Sequence, residues 1–217
     1  MKNKKDSIVI GTGGHSRAVI SLLKKQKNYI INGLIEISSN INLEERVLDC
    51  PVIGGIEHLE NLLKDKSYCY FIAVGDNSIR KKFFDYLTQH QANLPNLYDP
   101  YCFVDKDIKL GNGNIFLHNS FVGPSVSLGS NNIFNTGSVM EHDSIIGSHC
   151  HLAPNSVVCG NSSIADLCSM GANSTIIEKI SISSNVCIGA GSTVVKSIEK
   201  SFSTYVGSPA KEIKKKK

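Results

Sequence analysis

A histidine followed by a carboxylate, His142–Asp143, lies in the stretch "NTGSVMEHDSIIG" from Asn135 to Gly147. An imidazole titrates close enough to neutrality to take a proton from a hydroxyl or an amine at physiological pH. A neighbouring carboxylate can fix its tautomer and favour the imidazolium that forms. The same dipeptide is also ordinary polar decoration on a surface turn. Neighbours in a strand point to opposite faces, so whether Asp143 reaches His142 depends on the turn that carries them. The scaffold has to decide between the two readings.

That scaffold shows itself as a period of six. From Leu110 to Val194 every sixth residue is apolar, with Met140 and Ile146 flanking the His–Asp pair. The residue two places earlier is mostly small or β-branched, as at Val126, Ser138, Ser144, Cys150 and Ser156, and glycine often follows the large one, as at Gly111, Gly129 and Gly147. Neither the helical period of 3.6 nor the strand period of 2 fits. Six residues per unit imply short strands joined by tight turns, with the large residue pointing into a prism-shaped interior and glycine permitting the turn. Three units make a coil, and coils stack by parallel strand pairing. The pattern is that of a hexapeptide left-handed parallel β-helix. Its register never slips, so no long lid is expected from this part of the chain. A narrow prism has no room for polar side chains, which places His118, His142, His149 and His151 on the outside. Its flat faces invite self-association. A closed homotrimer would cover them and create clefts into which these histidines point.

The first hundred residues read differently. "SIVIGTGGHSRAVISLLKKQ", Ser7–Gln26, gives a strand at Ile8–Ile10, a glycine turn at Gly11, Gly13 and Gly14, and a helix from about Ser16, with Ser16 or a neighbour as its cap. A second strand near Ile31–Ile35 ends at Glu36, where dinucleotide folds place an acid that meets a ribose hydroxyl. "CYFIAVGDN" reads as a buried strand and loop, and "IRKKFFDYLTQH" as a helix. The expected organisation is a small Rossmann-like α/β domain over 1–100 and a β-helix domain with a C-terminal tail over 101–217. Ser16 stands where a G-x-G-x-x-G motif has its last glycine, which disfavours NAD.

Composition excludes several classes. No apolar run approaches the length of a membrane span, so no stable membrane insertion is expected. Seven cysteines, an odd number without C-x-x-C, favour a reducing cytoplasm over disulfide stapling. The spacing of Cys150, Cys159, Cys168 and Cys187 resembles no zinc-ligand pattern, and no metal is expected. The formal charge of +4 owes much to the terminal "KEIKKKK", and no nucleic-acid-binding module accompanies it.

Together, "GTGGHS" (Gly11–Ser16), Asn135–Gly160 and "VGSPAK" (Val206–Lys211) make the chain resemble the sugar acetyltransferases of the sialic-acid O-acyltransferase and UDP-N-acetylbacillosamine N-acetyltransferase family. The resemblance implies a homotrimer using acetyl-CoA and a nucleotide-linked sugar. It implies His142 as catalytic base with Asp143 beside it, His151 near the acetyl group of the donor, and Asn135 near the base. It implies Gly11, Gly13, Gly14 and His15 as the loop that meets the nucleotide, and Glu36 as the acid after the second strand. Gly160, Gly171, Ala172, Gly189 and Ala190, with His151, would line the donor's arm. Lys211 and the terminal lysines would approach its phosphates.

Acetyl transfer from a thioester to a hydroxyl or amine needs a base for the acceptor and a hydrogen-bond donor for the developing oxyanion. His142 suits the first role. His151 or a backbone N–H of the next rung suits the second, and no acyl-enzyme is needed. The expected reaction is N-acetylation of the 4-amino group of a UDP-linked, bacillosamine-type sugar. The alternative is O-acetylation of sialic acid or a related nonulosonate. A non-enzymatic hexapeptide scaffold with zinc on His142, His149 and His151 is the third reading.

Overall fold

The computed structural model describes residues 4–213, which fall into two compact units, Met1–Pro100 and Tyr101–Lys217. In the first unit β1 (Lys5–Ile10), α1 (Gly14–Lys25), β2 (Tyr29–Ile35), β3 (Arg46–Val47), β4 (Cys50–Gly54), α2 (Ile56–Leu62), β5 (Cys69–Ile72) and α3 (Asn77–Gln89) follow in order. The sheet runs β3-β4-β2-β1-β5. It is parallel except for the β3–β4 hairpin. Ile8, Ile10, Ile35, Tyr70 and Ile72 from the central strands meet Leu59 of α2 and Leu87 of α3 in one buried cluster. The chain leaves β1 toward β2 and later returns to β1's other side as β5. The carboxyl ends of β1 and β5 therefore form the point at which strand order reverses, where open α/β sheets leave a crevice.

Two details here differ from the sequence reading. Helix α1 starts at Gly14, not near Ser16, and its cap is Gly13, which makes no side-chain cap bond; Ser16 instead donates its hydroxyl back to the Gly13 carbonyl at 2.6 Å. The hairpin and α2 left no strong signal. The hairpin turns on Leu48 and Asp49, both at positive φ, without the Asn-Gly pair that usually announces such a turn.

The second unit is a left-handed β-helix of two-residue strands on three faces. The first face stacks Phe103–Val104, Phe121–Val122, Val139–Met140, Val157–Val158, Thr175–Ile176 and Thr193–Val194. The second stacks Lys109–Leu110, Ser127–Leu128, Ile145–Ile146, Ser163–Ile164 and Ser181–Ile182. The third stacks Ile115–Phe116, Ile133–Phe134, His151–Leu152, Ser169–Met170 and Cys187–Ile188, and is extended by Thr204–Val206 and Lys211–Ile213. The second residue of each strand points inward, and from Val122 to Val194 these side chains are at most 4% exposed. Phe116 and Phe134 stack with ring centroids 5.0 Å apart.

Two expectations about the prism are corrected. The left-handed backbone position of each corner falls three residues after the inward one, and it is filled more often by Asn or Asp (Asn119, Asn131, Asp143, Asn155, Asn161, Asn173 and Asn185) than by glycine (Gly113, Gly137 and Gly191). Asn and Asp tolerate this conformation because a short polar side chain can bond locally. The glycines directly after the inward residue serve close approach: a Cβ at Gly129 would lie 2.6 Å from the Gly147 carbonyl oxygen. Nor are polar side chains kept out of the core. Asn114 and Asn132 are fully buried at one corner, where each accepts a backbone N–H from the next coil, Asn132 N at 2.9 Å and Cys150 N at 2.7 Å. The buried Asn114 and Asn132 are thus tied to backbone groups of the next coil, which is what makes their burial tolerable.

Candidate active site

His142 and Asp143 occupy the corner between the first and second faces. Asp143 takes φ 57°. At a left-handed residue the strand's alternation of side chains no longer applies, and the carboxylate swings back to its neighbour. Asp143 Oδ2 lies 2.8 Å from His142 Nδ1. That contact assigns the neutral ring's proton to Nδ1 and leaves the lone pair on Nε2. Both side chains are half-exposed, and Nε2 makes no hydrogen bond among the described residues. One coil further on, Gly160 lies under the ring: a Cβ there would fall 2.7 Å from Cε1 and 2.8 Å from Nε2. The ring therefore rests where only a glycine gives it room.

Asn135 and His151 form a second pair, Asn135 Nδ2 to His151 Nε2 at 3.2 Å. The amide donates to Nε2, so the neutral His151 ring carries its proton on Nδ1. This pair belongs to the third face and to its corner with the first, a different corner from that of His142. Gly171, Ala172, Gly189 and Ala190 continue along Asn135's corner in the following coils. Gly171 and Gly189 have packing reasons of their own, since a Cβ would meet Ala190 N at 2.4 Å in one case and Val206 Cγ1 at 2.7 Å in the other.

Two cavities lie along the prism on either side of the His142 coil. One of about 410 Å³ is bounded by Asp107, Lys109, Ser125 and Ser127 of the preceding coils and by Asp143 and Ile145 of the His142 coil itself. The other, of about 380 Å³, lies at the C-terminal end between Val194, Lys196, Tyr205, Pro209 and Lys211. Lys196 sits three coils beyond His142, about 14 Å along the stack at the usual strand spacing. Sequence reading missed Lys196, although its offset from His142 is three times the eighteen-residue coil. The terminal Lys214–Lys217 lie outside the described residues.

His149 is corrected: it is buried, 7% exposed, with Nδ1 2.8 Å from Asn131 Nδ2. It holds the left-handed place at its corner, which folds it against the neighbouring coil. Among the described residues no group of three or more His, Cys, Asp or Glu is placed to hold a metal ion, so the zinc set of His142, His149 and His151 is not assembled.

In the first unit Gly11, at φ 105°, brings the chain over β5, where a Cβ would meet the Ala73 carbonyl oxygen at 3.1 Å. Gly13 and Gly14 have open space where a side chain would be. His15 follows in the first turn of α1. Glu36 is 8% exposed and tied to this turn, accepting the Thr12 hydroxyl on one oxygen and the Ser38 N–H on the other at 2.7 Å. Burial pushes its pKa up, but these hydrogen bonds outweigh burial and hold it below the usual carboxylate range. The acid thus braces the glycine loop in its ionised form. No helix of the described residues is long and apolar enough to cross a membrane.

Residues 7–87 match the PglD N-terminal domain family. No curated protein sequence matches the chain significantly. Among solved structures, a histidine-to-asparagine variant of perosamine N-acetyltransferase from Caulobacter crescentus, in complex with CoA and GDP-perosamine, superposes with a TM-score of 0.90 at 27% identity, covering 96% of this chain and 97% of that one. The acetyltransferase domain of PglB from Neisseria gonorrhoeae superposes with a TM-score of 0.89 at 27% identity, over 97% of this chain and 100% of that one. The same domain in complex with acetyl coenzyme A gives a TM-score of 0.88 at 25% identity, with the same coverage. A segment that matches the PglD N-terminal domain is thus followed by a left-handed β-helix, a build like that of the sugar acetyltransferases on which the chain superposes.

Proposed function

We propose that this protein is an acetyl-CoA-dependent sugar N-acetyltransferase that acetylates the amino group of a nucleotide-linked sugar, with His142 as general base. The observation that carries the reading is the oriented imidazole: Nδ1 held by Asp143 at 2.8 Å, and Nε2 half-exposed above a glycine. The likeness to proteins whose structures hold CoA, GDP-perosamine or acetyl coenzyme A supports the class of both substrates.

Acetyl-CoA supplies the acetyl group already activated as a thioester. The residues suit such a donor: the C-terminal cavity has an aliphatic lining with Lys196 and Lys211 at hand for phosphates, and glycines and alanines leave the backbone accessible beside it. Gly160, Gly171, Ala172, Gly189 and Ala190 line the path of the arm, and Asn135 with His151 faces the acetyl oxygen. His142 Nε2 takes the proton that the acceptor nitrogen loses as it attacks, and Asp143 stabilises the imidazolium. The cavity beside Asp143 seats the acceptor's sugar ring. The 1–100 unit holds the nucleotide through Gly11, Gly13, Gly14, His15 and Glu36. The acceptor proposed is a UDP-linked 4-amino sugar of the bacillosamine type. Because the two pairs lie at different corners, the complete site forms between copies of the chain in a homotrimer.

The test is a panel of UDP- and GDP-linked 4-amino sugars and of nonulosonates with acetyl-CoA, read as free thiol released. A UDP-amino sugar is expected to turn over best, and His142→Ala to lower kcat/KM by about 10²–10⁴-fold. Preferred acetylation of a nonulosonate hydroxyl would overturn the amino-sugar reading.

A further inference from the structure

Arg80 is the largest side chain buried to less than 2% exposure, and neither the base nor the donor site uses it. It lies one turn into α3 and reaches back to the loop that precedes its own helix. Nη1 donates to the carbonyl oxygens of Val74, at 3.2 Å, and Gly75, at 3.0 Å, and Nη2 to Asn77 Oδ1 at 2.7 Å. A guanidinium stays charged whatever its surroundings. The loop thus gathers its oxygens around a permanent buried cation.

The direction of those carbonyls fixes that of the amides. In a trans peptide the C=O and the N–H of one unit point opposite ways, and among the described residues the only cis peptide is Ser208–Pro209. With the Val74 and Gly75 carbonyls turned toward Arg80, the N–H groups of Gly75 and Asp76 turn away from it. Neither donates to another group among the described residues. Asp76 is exposed and Gly75 half-exposed. The Asp76 carboxylate is itself engaged as the cap of α3, accepting Ile79 N–H at 2.8 Å. This loop follows β5 and lies against Gly11, so the two amides stand at the same crevice as the open backbone of Gly13 and Gly14. Successive outward amides form a concavity suited to anionic oxygens.

We infer that Arg80 is a positioning residue for the nucleotide: its buried guanidinium turns the Gly75 and Asp76 N–H groups into the crevice, where they bind the diphosphate of the acceptor. This rests on the nucleotide reading of the first unit given above. Lysine cannot take over, because one ammonium does not hold three acceptors in a planar fork.

The test titrates the full-length protein with UDP and with GDP, and separately with acetyl-CoA, by calorimetry, comparing wild type with Arg80→Lys. Loss of two charge-facing hydrogen bonds is expected to weaken diphosphate binding about tenfold or more, while acetyl-CoA affinity stays within about twofold. A folded Arg80→Lys protein with unchanged diphosphate affinity would overturn the inference. Hydrogen exchange on the wild type gives a second arm that does not depend on the variant's folding. Diphosphate is expected to protect the peptide covering 73–79, and absence of protection there counts against the inference. If wild type binds neither UDP nor GDP, the nucleotide reading falls and this inference with it; if it binds them without regard to residue 80, only the inference falls.

Discussion

At the corner that holds His142, Asp143 meets two demands with one side chain. It fills a left-handed position that Asn161 fills one coil later, and it bonds the imidazole. Asp143→Asn separates the two. Asparagine keeps the backbone preference and the shape but removes the charge that favours the imidazolium, so kcat is expected to fall by about 10²-fold or more, with thermal stability nearly unchanged. Steady-state kinetics beside a melting curve check both halves. Gly160→Ala is the complementary probe. Its methyl group collides with Cε1 and Nε2 of His142, so the ring must leave its place. A loss in kcat near that of removing the base is expected, although the substitution touches no titratable group. Wild-type turnover in this variant, measured by thiol release, would show that the ring acts from another position. The adjacency of His142 and Asp143 was plain in the sequence, but the reach between them was not, because it depends on a φ of the opposite sign to that of a strand. His149 was misplaced for the same reason.

Among the elements, the six-residue frame was legible because each inward position must be apolar and nothing interrupts the count. Its corners were read less well, since glycine and asparagine share the chemistry of turns and only the backbone angles say which residue bends. In the first unit, β1, β2, β5 and the helices announced themselves through apolar runs and periodicity. The β3–β4 hairpin did not, because Leu48–Asp49 is an unusual turn pair. Glu36 joins elements: from the end of β2 it clasps Thr12 in the β1–α1 turn. Its folded pKa is depressed. The stability it contributes is therefore present above the unfolded carboxylate pKa of about 4.3 and is lost as pH falls through the lower folded value. Urea unfolding of wild type should lose stability across that acid range, and Glu36→Gln should show a smaller acid-side loss. Identical pH profiles for the two proteins would remove the brace from the argument.

For the whole molecule, the proposed function makes assembly part of the chemistry, because His142–Asp143 and Asn135–His151 lie on different corners. In a trimer whose sites combine one pair from each of two copies, His142→Ala subunits co-assembled with His151→Ala subunits in equal amounts regain activity, because about a quarter of the sites then receive both intact pairs. Each variant alone stays near background. Mixing without recovery, with trimers verified by light scattering, would place both pairs in a single copy's site. The chain's sequence carried the prism and its inward register in full. It does not carry which corner would meet which in the proposed trimer, because that is a relation between copies. The stacking of identical coils also makes the prism a molecular ruler. His142 and Lys196 are three coils apart, and every coil adds the same increment of about 4.8 Å. Insertion or removal of eighteen residues between them would leave every inward residue in register and the fold intact, yet put the gap out of step with the fixed length of the donor's arm. If the donor spans the two as proposed, the number of coils can vary beyond Lys196, while the stretch from His142 to Lys196 is held to one length by a molecule the protein does not make.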